Sequence, residues 1–239
     1  MSNLNQENFR PLFSTWWPKI KKFYEDNGFD PIYTHLKQRS KVGVKILPDS
    51  KNVFRCFEEC PIEELKCVIV NEHPYSIMQN NMAVADGLAL SCGITKYPQP
   101  ELDQFFSSLE LEFDNGMCLP CIKTPDLSYL AQQGVLLLNC SLTVEHLKPN
   151  SHNLLWKPFM QYLFEEVLDV HGISIVLIGK ESWKMEKFIN PLNTIFKLEG
   201  LSRTESMWNS YNVFTEVNKL LKRKNNEKIN WFYDFDLPF

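Results

Sequence analysis

Three apolar runs in this sequence end in polar side chains that could do chemistry. Glu72 and His73 follow the first run, Asn139 stands near the end of the second, and Lys180 follows the third. A carboxylate and an imidazole can act as general acid and base, and an amide or an ammonium can hydrogen-bond a polar ligand. The sequence therefore indicates a polar site if the fold brings the ends of these runs together.

The apolar runs predict the strands of a central sheet. Long stretches without polar alternation are typical of strands buried on both faces, as in a parallel sheet covered by helices. Amphipathic stretches alternate with them and predict those helices. We expect strands at residues 65–71, 134–140 and 173–179, with a shorter candidate at 87–92, and helices at 12–24, 51–60, 100–113, 154–170, 182–192 and 212–224.

This alternation predicts an α/β protein with a short central, mainly parallel sheet. Ligands of such sheets bind in the crevice outside the carboxyl ends of the strands, which is where the polar residues follow the runs. A hydrophobic content of 44% can fill one sizeable core, and no Gly/Ser-rich or Pro-rich linker divides the 239 residues. We therefore expect one domain spanning residues 1–239.

Charge and cysteine content narrow the classes of function. A formal net charge of −4 gives no global attraction to a polyanion, so any nucleic-acid binding must be local. Seven cysteines, several of them within apolar runs, suit buried thiols in a reducing compartment better than a disulfide framework. No apolar run approaches the roughly 20 residues needed to span a bilayer. We expect a soluble intracellular protein, cytoplasmic or nuclear.

Four segments of the chain, in this order and spacing, resemble the family 1 uracil-DNA glycosylases: VIVNEHPY, GLALS, GVLLLNCSLTVEHLKPNSH and VLIGKESW. The corresponding family segments are G-Q-D-P-Y-H, G-L-C-F-S, G-V-L-L-L-N-x-x-L-T-V ending in a Ser-His pair, and a strand closing in W-G. Weaker similarities extend over essentially the whole chain. The resemblance implies a three-layer α/β/α fold. It also implies that uracil is flipped out of DNA and its glycosidic bond is hydrolysed without a metal or cofactor.

The position of the catalytic aspartate differs from the family. His73 stands where the family has the Asp that precedes Pro-Tyr, and it offers no negative charge to an oxocarbenium-like sugar. Loss of a positioned general base typically costs about 10²–10⁴-fold in rate. Glu72 is adjacent, but successive residues leaving a strand point in opposite directions. We expect Glu72 to replace the carboxylate only if the loop has been rebuilt.

The remaining pocket positions are partly kept. Asn139 stands where the family's Asn pairs with the uracil edge, and Pro74 and Tyr75 keep the frame in which the Tyr blocks the thymine methyl. Leu90 replaces the stacking Phe, which removes a ring contact worth about 1–3 kcal/mol per base. Alignment of the loop KLEGLS puts Lys197 at the position of the family's second catalytic residue, a His. The loop from His73 to the GLALS segment is also longer than in the family.

The residues expected to face DNA are mixed in charge. Glu101 and Glu199 stand in two loops where the family grips phosphates with Ser, and a carboxylate there costs affinity for DNA. Lys180 stands in the third such loop. Leu201 and Ser202 are retained, and Leu201 is as consistent with ordinary loop packing as with a wedge into the duplex.

Two other sets of residues suggest a metal site. Cys56, Cys60, Cys118 and Cys121 have C-x₃-C and C-x₂-C spacings, which resemble a zinc or iron–sulfur site. Cys56 falls within an amphipathic helix and the second pair in a variable loop, so we favour structural thiols and expect no metal. His146 and His152 lie in one loop, where we expect structural hydrogen bonding.

Three hypotheses follow. The first is a homologue whose catalysis is weak or lost and which binds DNA, a base or a protein partner. The second is an active glycosylase for uracil or a modified base, with Glu72 as carboxylate and Lys197 as electrophile. The third is a scaffold that engages a protein, such as a DNA-mimicking inhibitor, through its DNA face.

Overall fold

A computed structural model describes residues 6–113, 122–169, 172–200 and 212–233. Its centre is a sheet whose strands are all parallel. The four strands are β2 (Cys67–Asn71), β5 (Val135–Asn139), β7 (Ser174–Ile178) and β8 (Thr194–Leu198), in the spatial order β5-β2-β7-β8. The three main apolar runs are therefore confirmed as strands, and β8 is a strand that the sequence analysis did not predict.

Short antiparallel pairs lie outside this sheet. β1 (Ile46–Leu47) pairs with β6 (Val144–Glu145). β3 (Met78–Gln79) and β4 (Met82–Ala83) form a hairpin within the long loop that follows β2. Its two turn residues, Asn80 and Asn81, have φ of 50° and 62°, as a tight type I′ turn requires.

Helices cover the sheet and give the three-layer α/β/α arrangement that was predicted. The long helices α5, α7 and α9 agree with the predicted amphipathic stretches, although the helical region after α7 continues only as one π-helical turn to Val167. The helices are α1 (Gln6–Phe13), α2 (Trp17–Glu25), α3 (Asp30–Lys41), α4 (Arg55–Glu59), α5 (Pro100–Phe113), α6 (Ser128–Ala131), α7 (Asn153–Tyr162), α8 (Lys180–Trp183) and α9 (Val213–Arg223).

Three predicted elements were wrong in part. The helix expected at residues 182–192 is only the end of α8 and a single 3₁₀ turn at Glu186–Phe188, after which Ile189 is extended. The helix expected at residues 12–24 is broken, because Ser14 has φ of +43° and separates α1 from α2. The candidate strand at residues 87–92 is a loop. Leu90 has φ of +66°, and the Asp86 side chain accepts from backbone amides that a strand would give to its neighbour.

One hydrophobic cluster runs from Phe13 to Trp231 and includes the β2, β5 and β7 side chains. The five described cysteines are buried free thiols, as predicted, and Cys118 and Cys121 lie outside the described residues. Burial raises the pKa of the Cys60 thiol to about 12, so it is protonated and unreactive near neutral pH. In the described part of the chain, none of the helices has the length and apolarity to cross a bilayer.

Candidate functional site

Two asparagines meet at the carboxyl edge of the sheet. Asn71 ends β2 and Asn139 ends β5, and the two are register partners on adjacent parallel strands. Their side chains therefore lie on the same face, and Asn71 Nδ2 donates to Asn139 Oδ1 at 3.3 Å. Asn71 Nδ2 also donates to the His73 carbonyl oxygen at 3.1 Å, which fixes the first bend of the loop. Asn139 is 3% exposed. The contact with Asn71 uses part of the hydrogen-bonding capacity of this buried side chain.

His73 follows this pair and turns its ring along its own backbone. The His73 Nδ1 atom lies 2.9 Å from the Pro74 carbonyl oxygen, which can only accept a hydrogen bond, so Nδ1 carries the proton. A neutral ring then presents Nε2 as an acceptor, which can orient a water molecule. It brings no negative charge to the site.

Glu72 points the other way, towards the loop between β7 and α8. Its Oε1 accepts from the backbone N–H of Glu181 at 2.9 Å. Its carboxyl group packs on Gly179, where an added Cβ would lie 2.4 Å from Glu72 Cδ. Gly179 has φ of +87°, a conformation that glycine adopts without strain. The backbone N–H of Glu181 and the space left by Gly179 thus hold the Glu72 carboxylate.

Tyr75 and Leu90 form the opposite side of the site. The Tyr75 hydroxyl donates to the Leu90 carbonyl oxygen at 3.0 Å, and Leu90 is buried. Burial raises the pKa of Tyr75 well above its ordinary value, and Cys92 and Glu101 act in the same direction. Tyr75 therefore stays a neutral phenol, held against the loop by its own hydroxyl.

The loop that carries Leu90 is anchored by a buried carboxylate that sequence analysis missed. Asp86 accepts from Leu88 N at 3.2 Å, from Ser91 Oγ at 2.6 Å and from Gly93 N at 2.8 Å. Arg55 of α4 pairs with the same carboxylate at 3.1 Å. Burial raises the pKa of Asp86, although these donors oppose that shift. The only sequence signal was an acidic residue directly before the GLALS segment.

The prediction that Lys197 lies in a loop was wrong. Lys197 lies within β8, in register with Leu177 of β7, and its Nζ donates to Glu186 Oε2 at 2.6 Å. Alternation along the strand points it to the sheet surface, and its side chain is 39% exposed. The structure therefore groups Lys197 with Glu186, while His73, Tyr75 and Asn139 cluster around the ends of β2 and β5.

The residues expected to face DNA are found on three elements. Lys180 is exposed at the start of α8, and Glu101 is half-buried in the first turn of α5. Glu199 is exposed directly after β8. Leu201 and Ser202 lie outside the described residues.

One cluster of possible metal ligands lies away from this site. His35, Glu145 and His152 bring ligand atoms within 4.8 Å of one another. Arg39 and Lys148 both donate to the Glu145 carboxylate, at 2.5 Å and 2.8 Å. The hydrogen bond from Arg39 is the main reason that the pKa of Glu145 falls to about 2. Two cations on the one carboxylate oppose the binding of a divalent metal ion, so we interpret the cluster as structural.

Comparison with known proteins identifies the family. A uracil-DNA glycosylase of Coxiella burnetii is 31% identical over 226 residues, which cover 92% of this chain and 95% of that protein. This chain belongs to the uracil-DNA glycosylase family. A uracil-DNA glycosylase of Francisella tularensis is 29% identical over 225 residues, covering 91% of this chain and 98% of that protein. No protein-family model matches the sequence.

Solved structures of uracil-DNA glycosylases show the same fold. The crystal structure of the mimivirus uracil-DNA glycosylase superposes with a TM-score of 0.83 at 20% identity, covering 95% of this chain and 89% of that one. A single-residue variant of the mimivirus protein in complex with UGI superposes with a TM-score of 0.84 at 19% identity, covering 95% of this chain and 91% of that one. At this identity the likeness supports the fold alone.

Within this glycosylase family, the loop after β2 differs from the family motif at three consecutive positions, Asn71, Glu72 and His73. The motif G-Q-D-P-Y-H places a glycine where this chain has Asn71 and the aspartate where it has His73. A glycine has no side chain to reach across to β5, whereas Asn71 contacts Asn139. The motif match could have revealed Asn71 as a site residue, but only the structure shows its contact.

Proposed function

We propose that this uracil-DNA glycosylase homologue has weak or no base-excision activity and acts by binding DNA, a base or a protein partner. The observation that carries the proposal is the direction of Glu72. The carboxylate of Glu72 accepts a hydrogen bond from Glu181 N in the first turn of α8, while the motif position of the aspartate holds His73. A developing oxocarbenium ion needs a negative group beside the anomeric carbon, and an imidazole ring carries no negative charge in either its neutral or its protonated form.

The contact between Asn71 and Asn139 supports the same proposal. In the family, the Asn at position 139 reads the uracil edge through its amide, which needs both a donor and an acceptor. Asn71 takes up one of the two lone pairs of the acceptor oxygen of Asn139, at 3.3 Å. An incoming uracil must compete with this internal hydrogen bond, which lowers affinity for the base.

The alternative function is excision of uracil or a modified base by a rebuilt pocket. The β3–β4 hairpin, formed by Met78–Gln79 and Met82–Ala83, offers additional structure next to the site. In this alternative Glu72 leaves Glu181 N and turns towards the sugar, and Lys197 leaves Glu186. If Glu72→Gln leaves an observed excision activity unchanged, this alternative fails.

Protein binding is the remaining branch of the proposal. The mimivirus homologue has been crystallised in complex with UGI, and a homologue without strong excision could engage such a partner through its DNA face. A pull-down that recovers DNA and no protein would count against this branch.

The test is a uracil-excision assay on single-stranded DNA, with the wild type beside His73→Asp and the double variant Asn71→Gly, His73→Asp. We expect trace or no excision by the wild type and a gain of about 10²-fold or more from His73→Asp, because the carboxylate is restored. The double variant should excise uracil faster than His73→Asp alone, because Asn139 Oδ1 then no longer accepts a hydrogen bond from Asn71. Ordinary excision by the wild type would defeat the proposal.

Lys197→Gln is the matched control for this assay, because Lys197 lies on β8 and pairs with Glu186. We expect no change in excision in either the wild-type or the His73→Asp background. A large loss in the His73→Asp background would instead support Lys197 as the electrophile of the alternative function.

A further inference from the structure

A concave surface lined by lysines lies beside the site. The cavity has a volume of about 300 Å³. Lys157 of α7 stands on one wall, and Lys184 and Lys187, which follow α8, stand on the other. We call these three residues and the cavity between them the lysine cleft.

The lysine cleft is continuous with the residues of the site. Cys140 lines it, and Cys140 directly follows Asn139. Glu181 also lines it, and the backbone N–H of Glu181 is the donor that holds Glu72. The cleft therefore opens at the carboxyl edge of the sheet, on the side of the β7–α8 loop.

The charge of the lysine cleft is positive in a chain that is negative overall. Glu181 is the one carboxylate among the lining residues, and Lys184 pairs with it at 2.5 Å. The ammonium groups of Lys157 and Lys187 are on exposed residues, and Lys187 Nζ lies 4.8 Å from the centroid of the Phe188 ring. Lys157 and Lys187 thus add two positive charges to the residues that line the cavity, while the formal net charge of the chain is −4.

The helix that forms one wall adds to this field. α7 begins at Asn153, which also lines the cleft, and it runs for ten residues. The amino-terminal end of a helix carries a partial positive charge that favours anions. The lysines and the helix end therefore favour the same ligand, an anion small enough to enter the cavity.

We propose that the lysine cleft holds a backbone phosphate of a DNA strand bound at the adjacent site. This inference rests on the DNA-binding branch of the proposed function. At two positions where the family grips phosphates this chain has Glu101 and Glu199, which repel a phosphate. The cleft provides cations beside the same edge of the sheet, so the phosphate contacts have moved towards α7 and α8.

The experiment measures binding of a fluorescein-labelled single-stranded oligonucleotide containing one uracil, by fluorescence anisotropy over a series of salt concentrations. The wild type is compared with the double variant Lys157→Gln, Lys187→Gln. The matched control is Lys222→Gln, Arg223→Gln, which also removes two positive charges. The two control residues lie at the end of α9. The next residue, Lys224, donates through Nζ to the carbonyl oxygen of Gly172, which precedes β7. The control therefore lies at the amino-terminal edge of the sheet, opposite the cleft.

We expect the cleft variant to flatten the slope of log affinity against log salt by about 0.7, because losing the contact to one phosphate of a single strand removes about 0.7. Its affinity at low salt should fall by roughly tenfold or more, with the control within about twofold of wild type. Equal affinities and salt slopes of the two variants would show that the lysine cleft does not bind a phosphate, and the DNA-binding branch would still hold. A wild type that does not bind DNA would overturn both the cleft and the DNA-binding branch.

Discussion

The loop after β2 departs from the family motif at single side chains whose contacts the structure describes. Asn71, Glu72 and His73 are consecutive, yet they serve three different contacts: the amide of Asn139, the backbone of Glu181, and the Pro74 carbonyl oxygen. Alternation at the end of a strand sends neighbours to opposite sides. Moving the carboxylate by one position, from the motif aspartate to Glu72, therefore changes which part of the molecule it faces.

Glu72 holds the start of α8 through its hydrogen bond with Glu181 N, and this contact predicts the effect of mutating Glu72. Glu72→Gln keeps an oxygen that accepts from Glu181 N, so its free energy of unfolding in urea should stay within about 0.5 kcal/mol of wild type. Glu72→Ala removes that acceptor and should cost about 1 kcal/mol or more. Equal stabilities of the Gln and Ala variants would contradict this role.

At the scale of elements, the loop of residues 87–91 is positioned by contacts from distant parts of the chain. Arg55 of α4 and the Asp86 carboxylate form a half-buried ion pair, and Ala89 N donates to the Leu137 carbonyl oxygen of β5. Arg55 also bonds Ser128 Oγ at 2.5 Å. The loop of residues 87–91 is thus tied to two helices and one strand.

Close packing of this loop on the segment before α4 predicts a strong effect of Gly87→Ala. Gly87 has φ of +97°, and an added Cβ would lie 2.0 Å from the Asn52 carbonyl oxygen. Left-handed strain and overpacking together should lower the free energy of unfolding by roughly 2–4 kcal/mol.

Gly43→Ala is the matched control for this prediction. Gly43 has φ of +81° and no atom within 4 Å of an added Cβ, so it reports the backbone strain alone, about 1 kcal/mol. Urea unfolding of both variants measures the difference. Equal losses would show that the Asn52 backbone moves aside freely.

At the scale of the whole molecule, a buried imidazole links α3, β6 and α7. His152 is 1% exposed, its Nδ1 lies 2.9 Å from Thr143 Oγ1, and its ring meets that of His35 edge to face. Burial is the main cause that lowers its pKa to about 4, with the charge of His35 acting in the same direction. The folded protein therefore keeps His152 neutral at pH values where an unfolded chain protonates it.

The stability of the whole fold should consequently depend on pH through His152. Between pH 6.5 and about 4 the unfolded state binds the extra proton, so the free energy of unfolding falls as the pH falls through this window. The full loss is roughly 3 kcal/mol, from 1.36 kcal/mol per pKa unit. Urea unfolding of wild type and His152→Asn at pH 7 and pH 4.5 should show a smaller loss in the variant. Parallel pH profiles would refute the assignment.

Much of the fold was predictable from local sequence. The apolar runs at β2, β5 and β7 are buried on both faces, so their composition alone indicates parallel strands and hence a pocket at the carboxyl edge. β8 was missed because it is an edge strand whose residues Thr194 and Lys197 are exposed, which gives it no apolar run. Its position emerges only from pairing with β7.

Motif order and hydrophobic pattern are local properties of the chain, so they predicted the family, three of the four strands of the sheet, and the place of Asn139, Tyr75 and His73 around one edge. The contacts of the polar groups there come from the tertiary structure. It joined Asn71 to Asn139, and it held Glu72 against the β7–α8 loop. These contacts join residues far apart in sequence, and their geometry depends on strand register and loop conformation, which no local pattern encodes.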